Sequence, residues 1–129
     1  MQHLEWLEIE TVLAAHEENL SIDGGAAGIR DFGLLESALE RPRNRCHYEG
    51  IDDVASLAAT YCVGLAKNHP FVDGNKRTAF IAMAAFLLIN GYRLTASQED
   101  ATMTMLAVAA GQIDIDPLAQ WIEANSSKA

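Results

Sequence analysis

Ten consecutive residues hold most of the groups in this chain that could do chemistry: His69-Pro70-Phe71-Val72-Asp73-Gly74-Asn75-Lys76-Arg77-Thr78. His69 is the side chain most readily poised as a general base near neutral pH. Asp73 offers a hard carboxylate oxygen of the kind that holds Mg²⁺ against phosphates. Gly74 removes the Cβ where a phosphate would approach closely, and Lys76 and Arg77 supply two cations. Base, metal ligand, phosphate cradle and cations on one short segment describe phosphoryl or nucleotidyl transfer.

Each residue alone has an ordinary reading. A His before Pro is commonly a loop residue, and Asp-Gly-Asn is commonly a turn with a helix cap. Two cations in a first helical turn oppose the helix dipole, however, which favours a bound anion there. No second His or carboxylate lies at ligand spacing from His69 and Asp73, which argues against a metal hydrolase.

The elements that must position these residues can be read outward from them. Pro70 keeps His69 out of the helical region, and Asn75 is an expected N-cap for a helix over about 76–90. The first turn of that helix then has free N–H groups and a positive dipole end, an anion site in waiting. The helix is apolar almost all round (Ala79 to Ile89), so it is expected to be enclosed by the others. Residues 52–68 form the preceding helix, with Leu57, Tyr61, Gly64 and Leu65 on one face, small residues permitting close packing, and Cys62 as a core hydrophobe. Lys67, near its C-terminus, suits the dipole and is a candidate to face the phosphates.

Further out, residues 4–19 read as an amphipathic helix with Leu4, Leu7, Val12 and Leu13 inside and His16 on the surface. A short helix over 34–41 is expected to stop at Pro42, leaving Asn44 to Ile51 as the least regular stretch. Residues 101–110, capped by Ser97 or Asp100, and 117–124, opened by Asp116-Pro117, read as two more helices. Tyr92 to Thr95 is at most a short extended piece. The fold class is therefore all-α, a compact bundle of about six helices around a central apolar helix, in one domain spanning residues 1–129.

Half of the 129 residues are hydrophobic, and nine basic against eighteen acidic side chains give a net charge of −9. That balance argues against nucleic acid as the principal partner, which needs a basic face, and fits a partner that brings positive charge. The acidic N-terminus lacks a signal peptide's pattern, and the apolar run at 79–89 is too short to span a bilayer. Cys46 and Cys62 form no ligand-spaced cluster and are most simply reduced. The expectation is a cytoplasmic protein.

The run HPFVDGNKRT resembles the signature of the Fic/Doc family, H-P-F-x-(D/E)-G-N-x-R, and is most similar to its Doc (death-on-curing) branch, where the signature ends N-K-R-T. The stretch from Gly28 to Pro42 and Ala109-Ala110-Gly111 extend the likeness over about residues 20–122. The resemblance implies His69 as the base that deprotonates a hydroxyl of a target protein, Asp73 as the metal-binding acid, Gly74 and Asn75 as the phosphate loop, Arg77 as a phosphate contact, and Phe71 as the loop's apolar anchor. It implies ATP and Mg²⁺ as cofactors, and a flap near Asn44 to Ile51 that lines up the segment to be modified.

Lys76 is the informative position. Most Fic enzymes, which transfer AMP, have Gly there and a second Arg where this chain has Phe80. The Doc branch shares the Lys, and the resemblance implies ATP bound in the reverse sense, presenting the γ-phosphate. The resemblance thus implies a protein kinase acting on Thr or Ser, with elongation factor Tu as the family's target and translation arrest as the outcome. AMP transfer is the enzymatic alternative, and a non-catalytic helical binding module the third reading. Ile81 stands where an Asn contacting phosphate is associated with the branch. Some Fic proteins carry an inhibitory (S/T)-x-x-x-E-(G/N) motif; the nearest match, Thr95 to Glu99, is followed by Asp100. Without that brake the resemblance implies an antitoxin whose C-terminal segment occupies a groove beside the active site.

Overall fold

The computed structural model describes residues 3–129 and contains six helices with one two-stranded antiparallel ribbon. The helices are α1 (Ile9–Asp23), α2 (Phe32–Glu49), α3 (Val54–Asn68), α4 (Asn75–Ile89), α5 (Gln98–Ala109) and α6 (Ile115–Ala124). The ribbon joins β1 (Tyr92–Leu94) to β2 (Ser126–Lys128), with Tyr92 opposite Lys128 and Leu94 opposite Ser126. The all-α bundle expected from the sequence is what forms. No helix among the described residues is long and apolar enough to cross a membrane.

The central helix is α3. Every residue from Val54 to Ala66 except Ser56 is buried, and α2, α4, α5 and α6 all pack on it. Its small residues allow this: a Cβ on Gly64 would lie 3.4 Å from the Cβ of Ala38 in α2, so the two helices run in close contact. Burial pushes the Cys62 thiol up to about 12, as befits a side chain acting as a core hydrophobe. The helix expected to be enclosed, α4, is less so. It buries Ala79, Ala82, Met83, Phe86 and Leu87 but leaves Leu88 and Ile89 exposed. Apolar content alone could not rank the two, because both lack a polar face to mark the outside.

Three other expectations are corrected. First, α2 does not stop at Pro42 but carries it in its interior and runs on to Glu49, so Asn44 to Glu49 is helical rather than an irregular flap. A mid-helix Pro costs about 3 kcal/mol. Here the face Leu35, Ala38, Leu39 and Pro42 is buried, and Arg45 donates from Nη1 to Thr60 Oγ1 of α3 at 2.7 Å, so tertiary packing outweighs the break. Second, α1 begins at Ile9, not Leu4. Residues 3–8 are non-helical and are tied to the end of α4, where Asn90 exchanges hydrogen bonds with the Glu5 backbone at 2.9 Å each way. Third, α6 begins at Ile115 behind Asp114, one residue ahead of Asp116. Ser97 caps α5 as expected, accepting from the Asp100 N–H at 3.1 Å.

Candidate active site

The signature residues form the tight connection between the C-terminus of α3 and the N-terminus of α4. His69 is the C-cap of α3 at φ 52°, ψ 52°, the only non-glycine residue with positive φ among those described. A left-handed conformation at a non-glycine costs about 1–3 kcal/mol and persists only when its surroundings enforce it. The enforcement comes from Arg30, in the connection between α1 and α2. Its Nε donates to the His69 carbonyl at 2.6 Å and its Nη2 to the Asn68 carbonyl at 2.8 Å. A guanidinium at these carbonyls also complements the negative end of the α3 dipole. The backbone of the same connection runs antiparallel to the loop: Ile29 bridges Phe71, Arg30 N–H donates to Pro70 O at 2.7 Å, and Val72 N–H donates to Gly28 O at 3.0 Å.

Asn75 is not the N-cap of α4. The helix starts at Asn75 itself, and the cap is Gly74 at φ 78°, a conformation that glycine adopts without penalty. The Asn75 side chain is instead buried as the clamp of the loop. Its Oδ1 accepts from Phe71 N–H and its Nδ2 donates to Phe71 O, both at 2.9 Å, with His69 Nδ1 at 3.1 Å from the same Nδ2. The first two bonds fix which end of the amide is nitrogen. His69 Nδ1 therefore accepts, and the neutral ring carries its proton on Nε2.

Asp73 is exposed, and its carboxylate is oriented by main chain: Oδ1 accepts from Gly74 N–H at 2.8 Å and Oδ2 from Ala26 N–H at 3.3 Å. Among the described residues no group of three His, Cys, Asp or Glu could enclose a metal ion. One oriented carboxylate is a suitable donor set for Mg²⁺ that keeps water and phosphate ligands, and an unsuitable one for a metal held by protein alone. Lys76 and Arg77 follow in the first turn, whose N–H groups have no intrahelical partner. Both line a groove of about 430 Å³ between α4 and α5, walled by Phe80, Ala101, Met105 and Leu106, with Gln98 and Thr102 as polar side chains. Arg77 also approaches Asp23 of α1, at 3.7 Å. Lys67 is engaged elsewhere, its ammonium 3.7 Å from Asp114 at the start of α6.

Sequence reasoning assigned His16 to the surface, and the structure corrects this. Val12, His16 and Asn19 form a buried stripe of α1 that faces the loop. The His16 ring stacks on Phe71, with centroids 3.8 Å apart and planes at 10°, and its Nε2 lies 2.8 Å from the Asp73 carbonyl oxygen. The four-then-three spacing of these residues was the available signal; Glu17 and Glu18 beside His16 obscured it. Arg30 gave no comparable signal, because its role is set by a loop-to-loop contact across 39 residues.

The geometry and the sequence point to one class of protein. The profile of the Fic/DOC family matches residues 6–87, most of the chain, and the chain belongs to that family. It is 39% identical to "Protein kinase doc" of Escherichia phage P1 over 113 residues, covering 88% of this chain and 89% of that protein. It is 40% identical to "Toxin Doc" of Mycolicibacterium smegmatis (strain ATCC 700084 / mc(2)155) over 120 residues, covering 89% of this chain and 88% of that one.

Proposed function

We propose that this protein is a toxin that transfers the γ-phosphoryl group of ATP to a Thr or Ser hydroxyl of a target protein, elongation factor Tu being the expected target. The observation that carries the reading is the first turn of α4. There Lys76 and Arg77, three and four residues beyond the oriented Asp73, line an apolar-walled groove beside unpaired N–H groups, at the end of the loop that holds His69. An aromatic and aliphatic slot with two polar side chains suits a purine base, and the cations at its mouth suit a polyphosphate. The relatives named as a kinase and as a toxin support the same class.

In this reading His69 accepts the hydroxyl proton as the hydroxyl oxygen bonds to the γ-phosphorus and the bond to the ADP oxygen breaks. Because the resting ring carries its proton on Nε2, acceptance at that nitrogen requires the ring to give up Asn75, with the proton relocated to Nδ1. Asp73 holds Mg²⁺, which when bound neutralises phosphate charge and orients the reacting group. Lys76 and Arg77 hold the phosphates, and the main-chain N–H of Asn75, at the turn opened by Gly74, completes the cradle. A silencing protein partner belongs to this reading, and the net charge of −9 favours a basic segment in it.

Intact-mass spectrometry of elongation factor Tu incubated with the protein, Mg²⁺ and ATP tests the reading, with His69→Ala as control. A phosphoryl increment that depends on His69 is the expected result. An AMP increment would replace kinase by AMP transfer, and an increment that persists in His69→Ala would remove His69 from the base role.

A further inference from the structure

We propose that His16 is a positioning residue for Asp73: from beneath the loop it holds the Asp73 main chain and so sets the direction of the carboxylate. The inference rests on the reading of Asp73 as the metal ligand.

His16 is only 4% exposed, and the surface it presents is used twice. Its face lies flat on Phe71, which is itself buried and tied at both N–H and C=O to Asn75. Its edge reaches the Asp73 carbonyl at 2.8 Å. A carbonyl oxygen can only accept, so His16 Nε2 carries the proton and donates it. Holding that carbonyl fixes the plane of the peptide between Asp73 and Gly74. The N–H at the other end of the same peptide is the donor to Asp73 Oδ1. His16 therefore sets one end of a unit whose other end aims the carboxylate.

The packing around this unit leaves little room for an alternative. A Cβ on Gly74 would lie 3.3 Å from Asn19 Nδ2 and 3.6 Å from His16 Cδ2, so the loop rests directly on α1. A leucine at position 16 would fill similar space without a polar group to desolvate. The imidazole contributes something a leucine cannot, an N–H at the one carbonyl that orients Asp73.

Four proteins test this: wild type, His16→Phe, which keeps a stacking ring without the donor, His16→Gln, which restores a donor, and Asp73→Asn. Two quantities are read, the exchange rate of the Gly74 amide in the nucleotide-free protein and the affinity for Mn²⁺·ADP by electron paramagnetic resonance. His16→Phe should speed Gly74 exchange and weaken Mn²⁺·ADP binding by about tenfold, with His16→Gln nearer to wild type. Unchanged binding in His16→Phe, with binding weakened in Asp73→Asn, would overturn the proposal. Binding unchanged in Asp73→Asn would instead remove Asp73's metal role, and Gly74 exchange alone would then decide on His16, an unchanged rate overturning it. The wild type gives a check independent of folding in the variants: a slowly exchanging His16 Nε2–H resonance at neutral pH is expected, and its absence would also overturn the proposal.

Discussion

Two clefts flank the first turns of α4, and they differ in what they can receive. The groove toward α5 has apolar walls, two uncharged polar side chains and Lys76. The cleft toward α1, of about 340 Å³, has Glu18 and Asp23 in its wall together with Ile81. Arg77 lines both. A polyphosphate would meet carboxylates on the α1 side and a lysine on the α5 side, so electrostatics directs it to the groove toward α5. The helix that carries these carboxylates, α1, also supports the loop, through His16, Asn19 and Leu20 packed beneath Gly74. In the proposed reading, one side of α4 supports the candidate catalytic loop and the other receives the nucleotide.

The largest effect is expected in the loop that the α1 side supports. His69→Ala should lower turnover by roughly 10²–10⁴ with the helical circular dichroism unchanged, since Arg30 holds this position through main-chain carbonyls and not through the His69 side chain. Near-normal activity would mean that the loop positions a substrate without supplying a base. Filling each cleft in turn comes next. Thr102→Trp occupies the groove toward α5 from an exposed position and should weaken ATP binding by about tenfold, a loss of about 1.4 kcal/mol. Ile81→Trp, which narrows the α1 cleft, should leave affinity within about twofold. The reverse pattern, measured by calorimetric titration of Mg²⁺·ATP, would place the nucleotide on the acidic side and break the comparison.

Much of this was legible in the sequence, and the gaps have physical causes. The six helices followed from apolar periodicity and cap residues, and the candidate loop from the density of polar groups around Gly74. Helix α2 was cut short because Pro42 is a strong local signal, whereas the packing of its buried face on α3 involves residues far apart in the chain. The ribbon was missed because Ser126-Ser127-Lys128 has no alternating pattern; it pairs because α6 delivers it beside β1, and the Thr95 N–H to Asn125 O bond at 2.7 Å extends the pairing. The role of Asn75 shifted from cap to clamp because a glycine at φ 78° caps a helix without a side chain. His16 and Arg30 lay outside the signature, and their roles became visible only once α1 and its following connection were seen against the loop.

A smaller effect separates Gly24 from Gly25 on the α1 side, both with positive φ. A Cβ at Gly24 meets nothing within 4 Å, whereas one at Gly25 would sit 2.8 Å from Asp73 Oδ2. Both substitutions to Ala should cost about 1–3 kcal/mol of stability through backbone strain. Only Gly25→Ala should also raise the Mg²⁺ concentration needed for activity, because the carboxylate must move to admit the methyl group. Equal metal requirements in the two variants would show that the connection after α1 does not bear on Asp73.

The smallest expected effect concerns Arg77, which the two clefts share. Its pair with Asp23 is 3.7 Å long and both side chains are about half exposed, so solvent screening leaves it little net stability. Asp23→Asn should therefore leave the melting temperature nearly unchanged. The same substitution removes a carboxylate that competes with phosphate for the guanidinium, and ATP should bind up to about threefold more tightly, with the gain fading as salt is raised. Tighter binding at low salt with unchanged stability would mark Arg77 as a ligand group held in reserve by α1. Weaker binding would mean that Asp23 orients Arg77 toward the phosphates, and the acidic cleft would then be part of the nucleotide site and not its boundary.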